Sequence, residues 1–320
     1  MMKKYLAALA GVGLISTPAL ADSNLKVYGT LDMGLQKATA SPLALERGDN
    51  NRLGLRGSED LGDGVKALFR LEMRFELDTG TTESLSRRPL FQGSSWAGLS
   101  GDFGTIRLGR DMTAMQYPIG DYDPFNMQTV GSIDATVGNF STDPSYAGSS
   151  GNRLSNGVFY SSPVVGNFQF NANIGTKEGL NGSAPLSSNC YSLSVTYNGE
   201  LLQTMAGAER SVAGDKFWNV SAAYTLGHAR LISSYSRLKR LVGPAETNWL
   251  LGGDIAVGAG SVKMGYGQIK PENAAADRQV SLGYWHNLSR RTMIYTDISN
   301  HTPAIGEAIR IIDFGINHTF

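Results

Sequence analysis

Between Val65 and Asp78 the chain alternates almost without interruption. Val65, Ala67, Phe69, Leu71, Met73, Phe75 and Leu77 fall on one parity, and Lys66, Arg70, Glu72, Arg74, Glu76 and Asp78 take nearly all of the other. A period of two marks a strand whose faces meet different surroundings. In a soluble sandwich the charges would face bulk water and the apolar side a core. In a membrane barrel the charges would line a wet bore and the apolar side would meet lipid. One strand does not choose between them, but its neighbours do.

The pattern recurs along the chain. Leu25, Val27, Leu31, Met33 and Leu35 oppose Lys26, Tyr28, Thr30, Asp32 and Gln36, and Leu53 and Leu55 oppose Arg52 and Arg56. Alternation predicts sixteen strands from Asn24 to Phe320, the fourth over Pro89–Ser100. Their connections switch between terse Gly- or Asn-rich turns, such as Gly101–Gly104 and Gly258–Gly260, and longer polar loops, such as Lys37–Asn51 and Lys177–Asn189. Tight glycine turns close hairpins. Short turns at one end and long loops at the other are the layout of an outer-membrane barrel. An open meander would leave two edges whose unpaired backbone groups are costly in lipid, and pairing the first strand with the last removes both. Sixteen strands leave an aqueous bore, whereas eight are filled by side chains. The expected fold is all-β, a closed antiparallel 16-stranded transmembrane β-barrel.

One connection breaks the scale. From Asp111 to Asn152 it runs to roughly forty residues, far beyond the usual length of a structureless loop. It carries Pro118, Pro124 and Pro144, the aromatics Tyr117, Tyr122, Phe125, Phe140 and Tyr146, and the acids Asp121, Asp123, Asp134 and Asp143. Such a mixture is expected to order by packing on something. The long third loop is therefore predicted to fold into the lumen and narrow it.

The N-terminus sets an address. A basic start at Lys3 and Lys4, an apolar stretch from Tyr5 to Ile15 and the small-residue site Ala19-Leu20-Ala21 read as a secretory signal peptide. Residues 1–21 are expected to be removed between Ala21 and Asp22, leaving 22–320 as one transmembrane barrel domain. The whole chain has 28 Lys+Arg and 28 Asp+Glu, and removing Lys3 and Lys4 leaves 26 against 28. With no basic excess, nucleic acid is not an expected partner. A single cysteine, Cys190, excludes an internal disulfide.

Several stretches then carry a resemblance. Val27-Tyr28-Gly29-Thr30-Leu31-Asp32, Arg52-Leu53-Gly54-Leu55-Arg56-Gly57-Ser58-Glu59-Asp60-Leu61-Gly62 and Gly98-Leu99-Ser100-Gly101-Asp102-Phe103-Gly104 resemble the general porins of Gram-negative bacteria. So do Leu108-Gly109-Arg110, Leu288-Ser289-Arg290-Arg291-Thr292 and the terminal Phe320, and the likeness is to the neisserial, Bordetella- and Burkholderia-like branch. The resemblance covers the whole mature chain; Arg87–Gln92 and the run after Gly199 are less typical. It implies a homotrimer in outer-membrane lipid, each barrel with its own pore and a third loop forming the eyelet. It also implies that Phe320 is read by the outer-membrane assembly machinery. The implied function is passive diffusion of small hydrophilic solutes and ions, with a substrate-selective channel of the same fold as the nearest alternative.

Parity nominates the residues of a constriction. Arg56, Arg70, Arg74 and Arg107 fall on the lumen face, and Arg153 shares parity with Gly157 and Phe159. Asp121, Asp123 and Asp134 ride on the loop. Rings of side-chain charge set ion preference in pores. A basic wall facing an acidic loop would give a transverse field and a weak anion preference. Alternatively, the arginines pair with Glu72, Glu76 or the loop acids and pin the loop. Trp218, Tyr224, Trp249, Tyr266, Tyr284 and Tyr295 sit near strand ends, as interfacial girdles require. No Gly-x-Ser-x-Gly, phosphate-binding loop, His-Glu-x-x-His or Cys-x-x-Cys occurs, so neither enzyme chemistry nor a cofactor or metal is expected, and a barrel enzyme or adhesin is the remoter reading.

Overall fold

A computed structural model describes residues 24–83, 89–133, 138, 140–141, 152–176 and 189–320. The predicted signal segment, with Ala21 and Asp22, lies outside them, as does Asp134. In chain order the strands are β1 (Asn24–Ala38), β2 (Leu43–Glu46), β3 (Arg52–Gly62), β4 (Val65–Arg74), β5 (Ser94–Gly101) and β6 (Gly104–Met112). A helical turn, α1 (Gln116–Ile119), opens the long connection and runs into a 3₁₀ turn at Gly120–Tyr122. Then follow β7 (Arg153–Ser161), β8 (Phe168–Gly175), β9 (Tyr191–Asn198), β10 (Leu202–Arg210), β11 (Lys216–Leu226) and β12 (Ala229–Lys239). The last five are β13 (Glu246–Val257), β14 (Gly260–Pro271), β15 (Asp277–Asn287), β16 (Thr292–Thr302) and β17 (Ile309–Thr319).

All seventeen strands belong to one sheet. The four-residue β2 pairs only with the end of β1, which leaves sixteen strands to make the wall. Every pairing is antiparallel, and β1 meets β17 in register from Thr30 opposite Thr319 to Ala38 opposite Ile311, so the sheet closes on itself. Gly29 and Phe320 exchange two backbone hydrogen bonds of 3.1 Å just beyond that ladder. The Phe320 ring lies where a Cβ on residue 29 would stand, so the closing contact requires glycine there.

Burial is inverted relative to a soluble protein. Leu25, Val27, Leu251, Val280, Leu282, Phe314 and Ile316 point outward and are exposed. Thr30, Asp32, Glu72, Asn173, Ser194, Ser221, Ser236 and Asp297, on the opposite parity, are buried. An apolar exterior of this extent is incompatible with water on that side and fits a lipid-facing wall. Aromatic pairs sit on the outward face near strand ends, Trp218 with Tyr235 at 5.4 Å and Trp249 with Tyr266 at 5.0 Å between ring centroids. Tyr295 is a correction to the girdle predicted above. Its parity is inward, it is buried, and its hydroxyl donates to Asp32 Oδ1 at 2.7 Å.

Several strand boundaries also differ from the reading of alternation, and β2 falls inside the predicted loop Lys37–Asn51. The fourth wall strand, β5, starts at Ser94 and not Pro89, because Gly93 and Gln92 are drawn out of the ladder by contacts to Glu72, Arg153 and Arg110. The short β2 has too few residues to show a period.

Candidate functional site

The inner wall from β1 to β7 carries most of the arginines. Register places Lys26 opposite Arg56, Arg56 opposite Arg70, and Arg70 opposite Trp96, so three cations stand side by side on β1, β3 and β4. Like charges directly opposite are unfavourable in a sheet. Here a ring separates two of them. Tyr28 lies across β3 over Gly54, where any side chain would collide with it, and the guanidinium carbons of Arg56 and Arg70 are each 5.2 Å from its ring centroid. The Tyr28 hydroxyl accepts from Arg70 Nε at 2.6 Å and donates to Glu72 Oε2 at 3.0 Å. Arg70 also reaches Glu72 Oε2 at 2.6 Å. Arg56 and Lys26 have no carboxylate within 4.0 Å among the described residues.

Arg107 is held between two rings, 5.6 Å from those of Trp96 and Phe159, and pairs with Asp111. Asp111 in turn accepts from Ser94 Oγ at 3.0 Å. Arg107 and Asp111, four residues apart, share the inner face by alternation, and the register shift between Gly109 and Asp111 places the extra residue on β7, between Leu154 and Gly157. The other two predicted arginines act differently. Arg74 is buried beside Glu72, and Arg153 donates from Nε to Gly93 O at 2.6 Å. With Arg110, which donates to Gln92 O at 3.0 Å, they fasten the β4–β5 connection to the wall.

The long loop rests on the opposite inner wall. Ala114 N donates to Asn173 Oδ1 at 2.6 Å, Met115 N to Ser192 Oγ at 3.0 Å, and Thr113 Oγ1 to Glu209 Oε2 at 2.6 Å. Met115, Ile119, Tyr122, Ile133 and Phe140 then pack on Met205, Phe217, Ala223, Ile232, Leu238 and Leu250 of β10–β13. Phe140 stacks flat on Phe217 at 4.7 Å. Further along, Pro124, Ile133 and Phe125 settle over Gly252, Gly265 and Gly283, where an added Cβ would lie 2.7 to 3.0 Å from them. Lys263 Nζ donates to Pro124 O at 2.7 Å and stands 4.3 Å from the Trp285 ring centroid.

The loop acids divide. Asp123 is fully buried; its carboxylate accepts from the backbone N–H groups of Phe125, Met127 and Ile133 and from Ser132 Oγ. It ties the loop together and presents no charge to the bore. Burial pushes its carboxyl up, against those four hydrogen bonds, which pull it down. Asp121 is exposed on the loop. Partial desolvation against the loop raises its carboxyl, and the nearby Arg230 guanidinium, which donates to Asp121 O at 2.8 Å, opposes the rise. Tyr122, beneath it, is pushed up to about 12 by burial.

Between the two walls lies open space. A cavity of about 300 Å³ is bounded by Arg70, Arg107, Trp96 and Phe159 on the barrel and by Thr113, Ala114 and Tyr117 on the loop. A second, of about 410 Å³, is lined by Lys26, Arg56, Arg70, Leu68 and Trp96. Parity found the arginines. It put Lys26 and Tyr28 on the polar face without giving them a role and did not single out Trp96; the part each plays follows from register between strands.

A closed sheet with an apolar exterior, a charged interior and a long loop on its inner wall defines a transmembrane channel of the porin type. Residues 6–302 match the family described as Gram-negative porin, and the chain belongs to that family. It is 31% identical to outer membrane porin protein 32 of Delftia acidovorans, over 93% of this chain and 89% of the relative. A porin of Bordetella pertussis is 30% identical over 53% of this chain and 47% of its own length. Among solved structures, an anion-selective porin from Comamonas acidovorans superposes with a TM-score of 0.79 at 25% identity, over 93% of this chain and 100% of that one. The trimer form of an outer membrane protein of Vibrio cholerae shares the fold, with a TM-score of 0.69 at 15% identity over 93% of this chain and 99% of that one. The protein is thus an outer-membrane channel.

Proposed function

We propose that the bore passes small hydrophilic solutes and ions by passive diffusion, with a weak preference for anions set by Arg56, Arg70 and Arg107 opposite Tyr117 and Asp121. The observation that carries this is the row Lys26–Arg56–Arg70 on adjoining strands, two of whose three cations lack a carboxylate partner among the described residues. Glu72 and Asp111 offset Arg70 and Arg107, so the surplus at the wall is modest. On the loop, only Asp121 of the two described acids named above offers a charge to water. Charge at the narrowest point governs preference. The description of the Comamonas porin as anion-selective agrees with this reading.

In this proposal three barrels associate, residues 1–21 are removed on export, and Phe320 is the residue read by the assembly machinery. Arg74, Arg153 and Asp123 position the wall and loop; Asp134 adds to the loop's charge.

The test is a planar-bilayer reversal potential in a potassium chloride gradient with Arg56→Glu/Arg70→Glu. The expected result is a change of sign toward cations. An unaltered reversal potential places the selective point elsewhere and overturns the assignment. Flux that saturates with one solute class, in place of linear flux, would establish the substrate-selective alternative.

A further inference from the structure

Guanidinium groups and aromatic rings alternate along the inner wall of β1–β7. Arg56 and Arg70 each stand 5.2 Å from the Tyr28 ring centroid, Arg70 faces Trp96 across the β4–β5 ladder, and Arg107 lies 5.6 Å from both Trp96 and Phe159. A ring beside a cation helps to hold it still, and Phe159, which is 1% exposed, can do no more than that. Trp96 and Tyr117 are different. Trp96 is partly exposed and borders both cavities, as Arg70 does. Tyr117, across the smaller cavity, is 62% exposed, and its ring meets no other ring among the described residues. On the loop-covered side Phe217, Trp285 and Tyr295 are all buried. Open ring faces thus stand beside the cations, together with Leu68, an apolar residue of inward parity that lines the larger cavity.

This combination narrows the choice of anion. A chloride or phosphate ion is held by the N–H edge of a guanidinium and gains nothing from a ring face, whereas a flat ring bearing a carboxylate can use both. From Trp96 on β5 to Arg56 on β3 is two strand spacings, roughly 10 Å. An aryl ring, its carboxylate and one arginine side chain fill that span. Arg56 and its neighbour Lys26 are exposed and have no carboxylate within 4.0 Å among the described residues.

We propose that this stretch of wall is a transit subsite for aromatic carboxylates, the ring stacked on Trp96 and Leu68 and the carboxylate held by Arg56 with Lys26 beside it. The proposal rests on the anion-preferring reading of the bore and adds a choice among anions of equal charge.

The probes are benzoate and cyclohexanecarboxylate, which carry the same charge at neutral pH and differ in whether the ring is flat and conjugated. Each is added to single purified channels in a planar bilayer, and the concentration that halves the potassium chloride current is read. Benzoate should act at a concentration roughly threefold to tenfold lower. Trp96→Leu keeps an apolar side chain but deletes the π face, so it should remove that difference, and Trp96→Phe should restore most of it. Arg56→Gln should weaken both probes by a similar factor, because it removes the partner they share. Equal concentrations for the two probes in the unmodified channel overturn the proposal, whatever the reversal potential in potassium chloride. A difference that survives Trp96→Leu overturns it too. A cation preference in potassium chloride with benzoate still favoured would support the subsite and overturn the earlier reading alone.

Discussion

The bare wall of β1–β7 and the loop-covered wall of β8–β14 have opposite chemistry on their inner faces. The bare wall carries Lys26, Arg56, Arg70 and Arg107, arranged with aromatic rings and open to the bore. The covered wall carries Asn173, Ser192, Ser194, Asn219, Ser221, Ser234 and Ser236, all buried. A buried charge is costly unless paired, whereas a hydroxyl or amide can satisfy itself locally. Asn219 Nδ2 donates to Ser234 Oγ at 2.8 Å, and Ser194 Oγ donates to Ala114 O at 2.7 Å. The charges that remain near the covered wall have designated partners. Lys263 has Pro124 O, and Glu209 has the Thr113 hydroxyl. The loop decides where this protein can afford a charge.

Deleting Asp121–Gly138 should break the distinction most. It uncovers the second wall and should raise single-channel conductance by about twofold or more, since the barrel is otherwise open. Unaltered conductance would show that the segment does not obstruct the path. Next in size is a charge moved to the wrong wall. Ser234→Glu should cost roughly 3 kcal/mol or more in unfolding of the detergent-solubilised barrel, whereas Ser58→Glu on the bare wall should cost within about 0.5 kcal/mol. Equal costs would mean the loop does not exclude water.

Smaller effects sharpen the contrast. Lys263→Met removes the donor to Pro124 O and should loosen the loop by about 1–3 kcal/mol, visible as faster proteolysis near Pro124. Tyr28→Phe deletes one hydroxyl between Arg70 and Glu72 and should cost about 1 kcal/mol, with a small shift in reversal potential. The least effect is that of pH. Because partial desolvation raises the Asp121 carboxyl, it takes up a proton as pH falls before an ordinary aspartate does. The loop then loses a negative charge, so anion preference should increase on acidification, and Asp121→Asn should flatten that part of the profile.

Much of the architecture was legible because a two-residue period reports directly on two unlike solvents. Alternation over Arg153–Ser161, Lys216–Leu226 and Ala229–Lys239 predicts strands with the bounds that β7, β11 and β12 have, and Arg56, Arg70 and Arg107 point inward as their parity requires. Parity does not say what covers a face. Met205, Ile232 and Leu250 are apolar residues on the inner parity, intelligible only once the loop is seated on them. The loop itself has no period, so Asp121 and Asp123 look equivalent in sequence although one is exposed and the other is enclosed by four donors. Tyr28 was legible as inward but not as the spacer between two guanidiniums, because that role depends on cross-strand register and on the missing side chain of Gly54.

The seam where Phe320 meets Gly29 has a consequence for biogenesis. The two strands that lock together stand farthest apart in chain order among the described strands, so the sheet cannot become watertight until both have taken their places. Contacts this distant along the chain form slowly, and until they do both rims of the ribbon stay open to pairing with other copies. A helper that holds the carboxyl-terminal strand would act at the one junction where delay is most hazardous.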